Sequence, residues 1–526
     1  MDEEYSIENP AQLIEAADDF AHYPGFQNDA AAKDFLDRFP LPVIINVLQT
    51  RADLPGVENA LVACLERLFK TKYGASLIPH YMPFVQVGLR ADSQLVRCLA
   101  CKTVTCLFET FDAKSVLPAQ LVIDNDVYPL LLDCLVNGDE QVANASMAAI
   151  KMLAASREGM GVVFPAENNH AMHLANISSK CSSLGRVRVL SLIVKLFSIS
   201  STVATVINDS NLLCLLEAEI RNSNDTLVTQ SVLELLYELA EIQHGTEFMS
   251  RTTIFQLLSS IISNSSMEVV LRSRAMMISG RLLCKENIYQ FVDQSSVRTL
   301  IASIDGRLGL LEGEDTDECE SALEALGQIG STIQGAVLLL LSSPPAARHV
   351  IDVAFDQHGR GKQLAALHTL GNISGETRTA NNIILNAEAE ESLRLLIYGI
   401  ASKSSKLTPS GLFLSVLRQD SRIRVAGYRM ITGLVARPWC LMEICSRQEI
   451  IDIVTDTTTE TTKIGMEARY DCCKAVNKAF ISSNRLTSEP ALAGIAAKLQ
   501  EAVRRGPYLA KKNLEAQPLV KTAERF

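Results

Sequence analysis

Apolar residues recur along this chain at the three-and-four spacing of a helix that buries one face. One such segment returns ten times. It reads VENALVACLERL (57–68), VRCLACKTVTCL (96–107), VANASMAAIKML (142–153), GRVRVLSLIVKL (185–196) and VTQSVLELLYEL (228–239). It continues as LRSRAMMISGRL (271–282), ECESALEALGQI (318–329), KQLAALHTLGNI (362–373), IRVAGYRMITGL (423–434) and RYDCCKAVNKAF (469–480). Successive closing positions lie 39, 46, 43, 43, 43, 47, 44, 61 and 46 residues apart. The stretches between them, such as VYPLLLDCLV (127–136) and LCLLEAEI (213–220), predict shorter helices. Asp139, Ser182, Asp225 and Asp420 stand where a side-chain oxygen can accept from the free amides of the helix that follows. Gly138, Gly159 and Gly245 stand where helices are expected to stop.

A helical pattern repeating every ~40–47 residues is the signature of armadillo and HEAT arrays. Each unit cannot bury its apolar face alone, so neighbours stack into one continuous core. The predicted fold is an all-α, right-handed helical solenoid of about ten units over residues 41–505. A doubly wound α/β fold would need β-branched strand runs between the helices, and the connecting stretches do not supply them. The 61-residue step predicts a disturbed repeat near 376–420, with KSSKLTPSGLF (403–413) read as its loop. Residues 1–40 carry ten acids against Lys33 and Arg38 and are expected to form an acidic N-terminal cap. Residues 506–526 are polar, with Pro507 and Pro518, and are expected to be an extended tail.

Composition narrows the function. Hydrophobic residues make up 48% of the 526, aromatic ones only 6%, with a single tryptophan, Trp439. A core of Leu, Ile, Val and Ala suits close helix-on-helix packing. The net charge of −11 argues against nucleic acid as a principal partner, because phosphate binding needs a basic footprint. The chain opens Met1-Asp2-Glu3-Glu4, so no secretory signal is expected, and no apolar run reaches the ~18 residues of a membrane span. Thirteen scattered cysteines, mostly inside apolar helical patterns, predict free, buried thiols in a reducing compartment, the cytosol or nucleus.

Motifs that could carry chemistry are incomplete. Gly361-Lys362 lacks the glycines of a phosphate loop and reads as the entry to a helix. Cys98 and Cys101 form a C-x-x-C without a second pair or a βαβ context, so they are expected in the core, as are Cys472 and Cys473. His170 and His173 lack a third ligand. The acids between Glu312 and Glu320 lack the central glycine of a calcium loop and are expected to be a solvated linker that favours the next helix N-terminus. Neither a metal nor a cofactor is expected, and no catalytic constellation can be assembled; the chain is expected not to be an enzyme.

A protein-binding role remains. In such a solenoid the last helix of each unit lines the concave side. The residue before each closing position and the one four earlier should face it together. In the later units these are Arg281 with Met277, Gln328 with Glu324, Asn372 with His368, and Gly433 with Arg429. With Arg274 one turn before, the candidate partner-binding residues are Arg274, Arg281, Glu324, Gln328, His368, Asn372 and Arg429. Nuclear-import armadillo receptors carry an asparagine ladder interleaved with tryptophans at these places. Only Asn372 matches, so the mixed-sign face suits a folded partner better than a basic peptide.

The C-terminal third is more specific. GLFLSVLRQDSRIRVAGYRMITGLVARPWCLMEI (411–444) resembles the 26S proteasome non-ATPase regulatory subunit 5 family, with Pro438-Trp439 as the family's Pro-Trp pair closing an Ala-rich helix. EARYDCCKAV (467–476) is similar to the family's following helix, and RRGPYLAKK (504–512) to its closing Gly-Pro-Tyr, here Gly506, Pro507 and Tyr508. His244-Gly245 matches a further pair midway. The resemblance implies a divergent member and a chaperone of proteasome base assembly. Its partner would be the C-terminal domain of a base ATPase subunit, and it would be absent from the finished particle. A generic armadillo scaffold or transport adaptor is the alternative, but it gives no reason for both C-terminal motifs to stand in order. Trp439, following Pro438, is expected to bury its ring between the last two units.

Overall fold

The structure, a computed structural model, describes residues 10–25, 28–51, 54–110, 117–165, 174–222, 225–249, 252–311 and 316–508. All ten predicted helices form. They are α1 (Val57–Phe69), α2 (Gln94–Thr110), α3 (Glu140–Ala155), α4 (Ser183–Phe197) and α5 (Thr226–Glu241). They continue as α6 (Val269–Leu283), α7 (Asp317–Gly330), α8 (Arg360–Ser374), α9 (Ser421–Leu434) and α10 (Lys463–Ser482). No strand occurs among the described residues. The chain is an all-α helical solenoid built as two compact units, Met1–Thr252 and Thr253–Phe526.

In the first unit α1 to α5 stack in chain order, each on the next. Shorter helices fill the second layer: Met82–Leu89 packs on α2, Val127–Asn137 on α3 and Cys214–Asn222 on α5. The acidic N-terminal stretch contributes two helices, Pro10–His22 and Asp29–Arg38. The first packs on α1, burying Leu13, Ala17 and Phe20, with the Phe20 and Phe35 rings 4.9 Å apart, while Glu15, Asp18 and Asp19 stay exposed. In the second unit α6 to α10 stack in the same way, with Ile254–Ser263 on α6, Ala347–Phe355 on α8, Pro409–Leu417 on α9 and Ala493–Arg505 on α10. The stacked faces are aliphatic; α7, for example, buries Ala322, Leu323, Ala325, Leu326 and Ile329. Each such large aliphatic side chain contributes ~1.5–3 kcal/mol.

The four predicted caps are all made. Asp139 accepts from the Val142 amide at 2.8 Å and Ser182 from Gly185 at 3.2 Å. Asp225 accepts from the Leu227 amide at 2.9 Å and Asp420 from Arg422 at 3.0 Å. Gly138 ends a helix as expected. Gly159 and Gly245 do not: one lies inside Arg157–Val163 and the other begins Gly245–Met249. A Cβ on Gly159 would sit 2.0 Å from the Leu153 carbonyl oxygen, and one on Gly245 2.5 Å from that of Leu239. These glycines let the next helix start against the end of the last.

The 61-residue step is ordered. It holds a connection from Gly375 to Asn386, a 17-residue helix Ala387–Lys403, and then Pro409–Leu417. The loop expected over 403–413 is confined to 404–408, because Thr408 accepts from the Gly411 amide at 3.2 Å and Pro409 takes the first helical position. The expected tail begins with fixed residues: Arg469, fully buried, donates from Nη2 to the Pro507 carbonyl at 3.3 Å, and the Tyr508 hydroxyl donates to Glu467. The rest of it, 509–526, lies outside the described residues, as do His170 and His173.

Candidate protein-binding face

The helices α6 to α9 carry the predicted binding residues on the layer they form by stacking. Glu324 is exposed on α7, while Arg274, Arg281, Gln328, His368, Asn372 and Arg429 are half-buried. Two of them meet directly. The Arg429 Nη1 donates to His368 Nδ1 at 2.8 Å across a sequence gap of 61 residues, tying α9 to α8. The same guanidinium pairs with Glu376, Nη2 donating at 2.8 Å. Burial, then the charge of Arg429, holds the His368 imidazole below its ordinary range. His368 therefore stands neutral, accepting at Nδ1, with Arg429 as the cation of the cluster.

Asn372 has a structural task. Its Nδ2 donates to the Gly327 carbonyl at 3.2 Å, a rung between α8 and α7, and Thr369 makes a parallel one to Leu323 at 2.7 Å. Gly433 is buried, with the Glu376 amide and Ser374 against it, so it presents no side chain. The face is thus a set of polar groups partly fixed by the stack: the His368–Arg429–Glu376 cluster, Gln328 and Glu324 on α7, and Arg274 and Arg281 on α6.

Sequence reasoning missed Glu376, which follows Gly375, a glycine at φ 94° that caps α8 and turns the chain back over α9. It also missed the buried charges behind the face. Glu318, read as a solvated linker residue, is 2% exposed. It accepts from Arg272 at 2.6 and 3.1 Å and from Arg307 at 2.7 and 3.0 Å. Burial alone would raise its carboxyl, but the two arginines outweigh it and hold it below the usual range. Arg437, also 2% exposed, pairs with Glu390 at 2.6 and 3.0 Å and donates to the Ser374 and Gly433 carbonyls at 2.9 Å. Glu460, 1% exposed, gathers Arg424, Ser421 and the Tyr428 hydroxyl.

The family-motif residues sit elsewhere than expected. Pro438 opens the helix Pro438–Cys445 rather than closing α9. Trp439 is half-buried, its ring 5.7 Å from that of Tyr398 on Ala387–Lys403, so it is not the fully buried wedge expected between the last units. The residue at that depth is its neighbour Arg437. Gly506, at φ 83°, ends Ala493–Arg505 and turns Pro507 and Tyr508 back onto α10.

Cys98, Cys101, Cys472 and Cys473 are all buried. Burial pushes the Cys98 thiol up and that of Cys473 to about 11, which keeps them protonated and unreactive. Lys362 is buried in the first turn of α8. Among the described residues no group of three or more His, Cys, Asp or Glu is placed to hold a metal ion, and no helix is long and apolar enough to cross a membrane.

The family described as "Proteasome non-ATPase 26S subunit" matches residues 57–379. The 26S proteasome non-ATPase regulatory subunit 5 of Homo sapiens is 20% identical over 421 residues, 79% of each chain. The Mus musculus protein of that name is 20% identical over 465 residues, 86% of this chain and 85% of its own. A designed armadillo repeat protein solved with a (KR)4 peptide has a TM-score of 0.37 at 12% identity, over 50% of this chain and 98% of that one.

Proposed function

Because this chain belongs to the proteasome non-ATPase 26S subunit family, we propose that it is a proteasome-associated, non-catalytic chaperone of regulatory-particle base assembly. It binds the C-terminal domain of a base ATPase subunit on the layer formed by α6 to α9, and it acts in the cytoplasm or the nucleus. The family match over 57–379 carries this reading, together with relatives bearing the subunit 5 name over about four-fifths of the chain. The face supports it physically. Polar side chains of both signs stand on stacked helices held by buried ion pairs, so a rigid partner meets them without reordering the backbone. Holding the ATPase domain blocks premature docking, and later contacts of the base compete the chaperone away; neither step makes or breaks a covalent bond.

The test is titration calorimetry of the full chain against isolated C-terminal domains of proteasomal ATPases. Saturable binding to one of them supports the reading. Binding to none overturns it.

A further inference from the structure

The lengthened step between α8 and α9 builds a pocket. Its connection, 375–386, is fixed at several points. Arg378 donates to the Asn372 carbonyl at 3.3 Å and also to that of Ile373. Arg437 reaches the Ile383 carbonyl at 3.4 Å while locked to Glu390, the fourth residue of the helix that follows. An insertion tied down by two arginines, one of them 2% exposed, is a formed wall.

That wall closes one side of a cavity of about 370 Å³, within the usual range for a binding pocket. Ala380 and Ile383 line it from the connection, Ala436 from just past the end of α9, and Ala475 and Ala479 from α10. Ala475 and Ala479 hold on α10 the register that His368 and Asn372 hold on α8 and Arg429 and Gly433 on α9. The pocket therefore continues the same face. Its lining is mostly apolar, with Thr432, Ser482 and Ser483 adding hydroxyls, and small residues from three segments leave the space that larger ones would fill. The charged group at the rim is Lys478, exposed and in no ion pair among the described residues.

We propose that this pocket anchors the protein partner by taking one bulky apolar side chain, with a partner carboxylate beside it on Lys478. The inference rests on the chaperone reading above and deepens it. The mostly apolar lining selects for an apolar body, and the unpaired ammonium at its edge gives the charge complementarity that selects an acidic neighbour. Interfaces draw most of their energy from such a central anchor rather than from rim charges.

The experiment fills the pocket from within. Ala479→Phe places a ring where the partner side chain would sit, and Lys478→Glu reverses the rim. Both are titrated against the ATPase C-terminal domain that the wild-type chain binds, with circular-dichroism melts alongside. Ala479→Phe is expected to weaken binding by at least about tenfold, and Lys478→Glu by about three- to tenfold, with unchanged melts. If Ala479→Phe alters the melt, the exposed Lys478→Glu decides alone. Wild-type affinity in the folded variants overturns the anchor and leaves the chaperone reading standing. A wild-type chain that binds no ATPase domain overturns both. A wild-type dimer in sedimentation that Ala479→Phe dissolves would make a second copy the occupant and overturn the proposal.

Discussion

Replacing Glu318 with alanine isolates a buried ion-pair cluster behind the proposed binding layer. The carboxylate is 2% exposed and accepts four hydrogen bonds from Arg272 and Arg307. Arg272 is itself 4% exposed, so removing Glu318 leaves its guanidinium without that carboxylate at a buried site. Breaking one partner of such a pair costs about 3–5 kcal/mol, because a buried charge is left uncompensated. The loss should be local, since repeat arrays lose structure in segments. Hydrogen exchange is therefore the sharpest assay: the α6 and α7 amides of Glu318→Ala should lose protection worth about 3 kcal/mol or more, while those of α2 and α3 stay unchanged. Replacing all three residues together, Arg272→Met, Glu318→Leu and Arg307→Met, should restore most of it, because a well-packed apolar triad matches a buried ionic one. Protection within about 1 kcal/mol of wild type in Glu318→Ala would refute the reasoning and place the pair in solvent.

Two further outcomes follow from the structure. Trp439→Ala should cost about 1–2 kcal/mol in urea unfolding rather than the ~3–5 of a fully buried ring, because the residue is only half-buried; a larger loss would mean that the ring is enclosed. His368 should make the second unit acid-sensitive. Its folded-state pKa is lowered, so the folded chain binds fewer protons than the unfolded one. The stability of the neutral ring is present above its ordinary value of about 6.5 and is lost as pH falls through it. The fall in urea midpoint between pH 7.5 and 5.5 should be smaller in His368→Gln than in wild type, and equal falls would remove His368 as the cause.

The helices were legible in the sequence because their signals are local. Ten repeats at nearly one spacing, with Asp139, Ser182, Asp225 and Asp420 as caps, needed only residues within one turn of each other. The misreadings came where contacts are distant. Glu318 meets Arg272 across 46 residues and Arg437 meets Glu390 across 47, and a hydrophobic pattern scores every one of them as a surface position. Gly159 was misplaced because what demands it is the carbonyl of the preceding helix, a clash invisible in composition. On the proposed binding face, the helical register places His368 and Arg429 on one side but does not show their contact, and it offers Asn372 to a partner although its amide spans two repeats. The lengthened step was visible as an irregular interval. That it forms a walled pocket depends on Arg378 and Arg437, whose partners only the fold brings near.

The central claim is that the layer of α6 to α9, rather than the chain's basic end, holds an ATPase domain. Titration calorimetry of three proteins against the isolated ATPase C-terminal domain tests it most directly: wild type, the double reversal Arg281→Glu with Arg429→Glu, and a chain ending at Tyr508, which keeps the contacts of Pro507 and Tyr508. The account predicts saturable binding for wild type and for the shortened chain, with affinity at least about tenfold weaker for the double reversal, which loses the tie of Arg429 to His368 and Glu376 and melts lower but is folded at the assay temperature. Wild-type affinity in the double reversal, with binding abolished in the shortened chain, would contradict it and make residues 509–526 the recognition element.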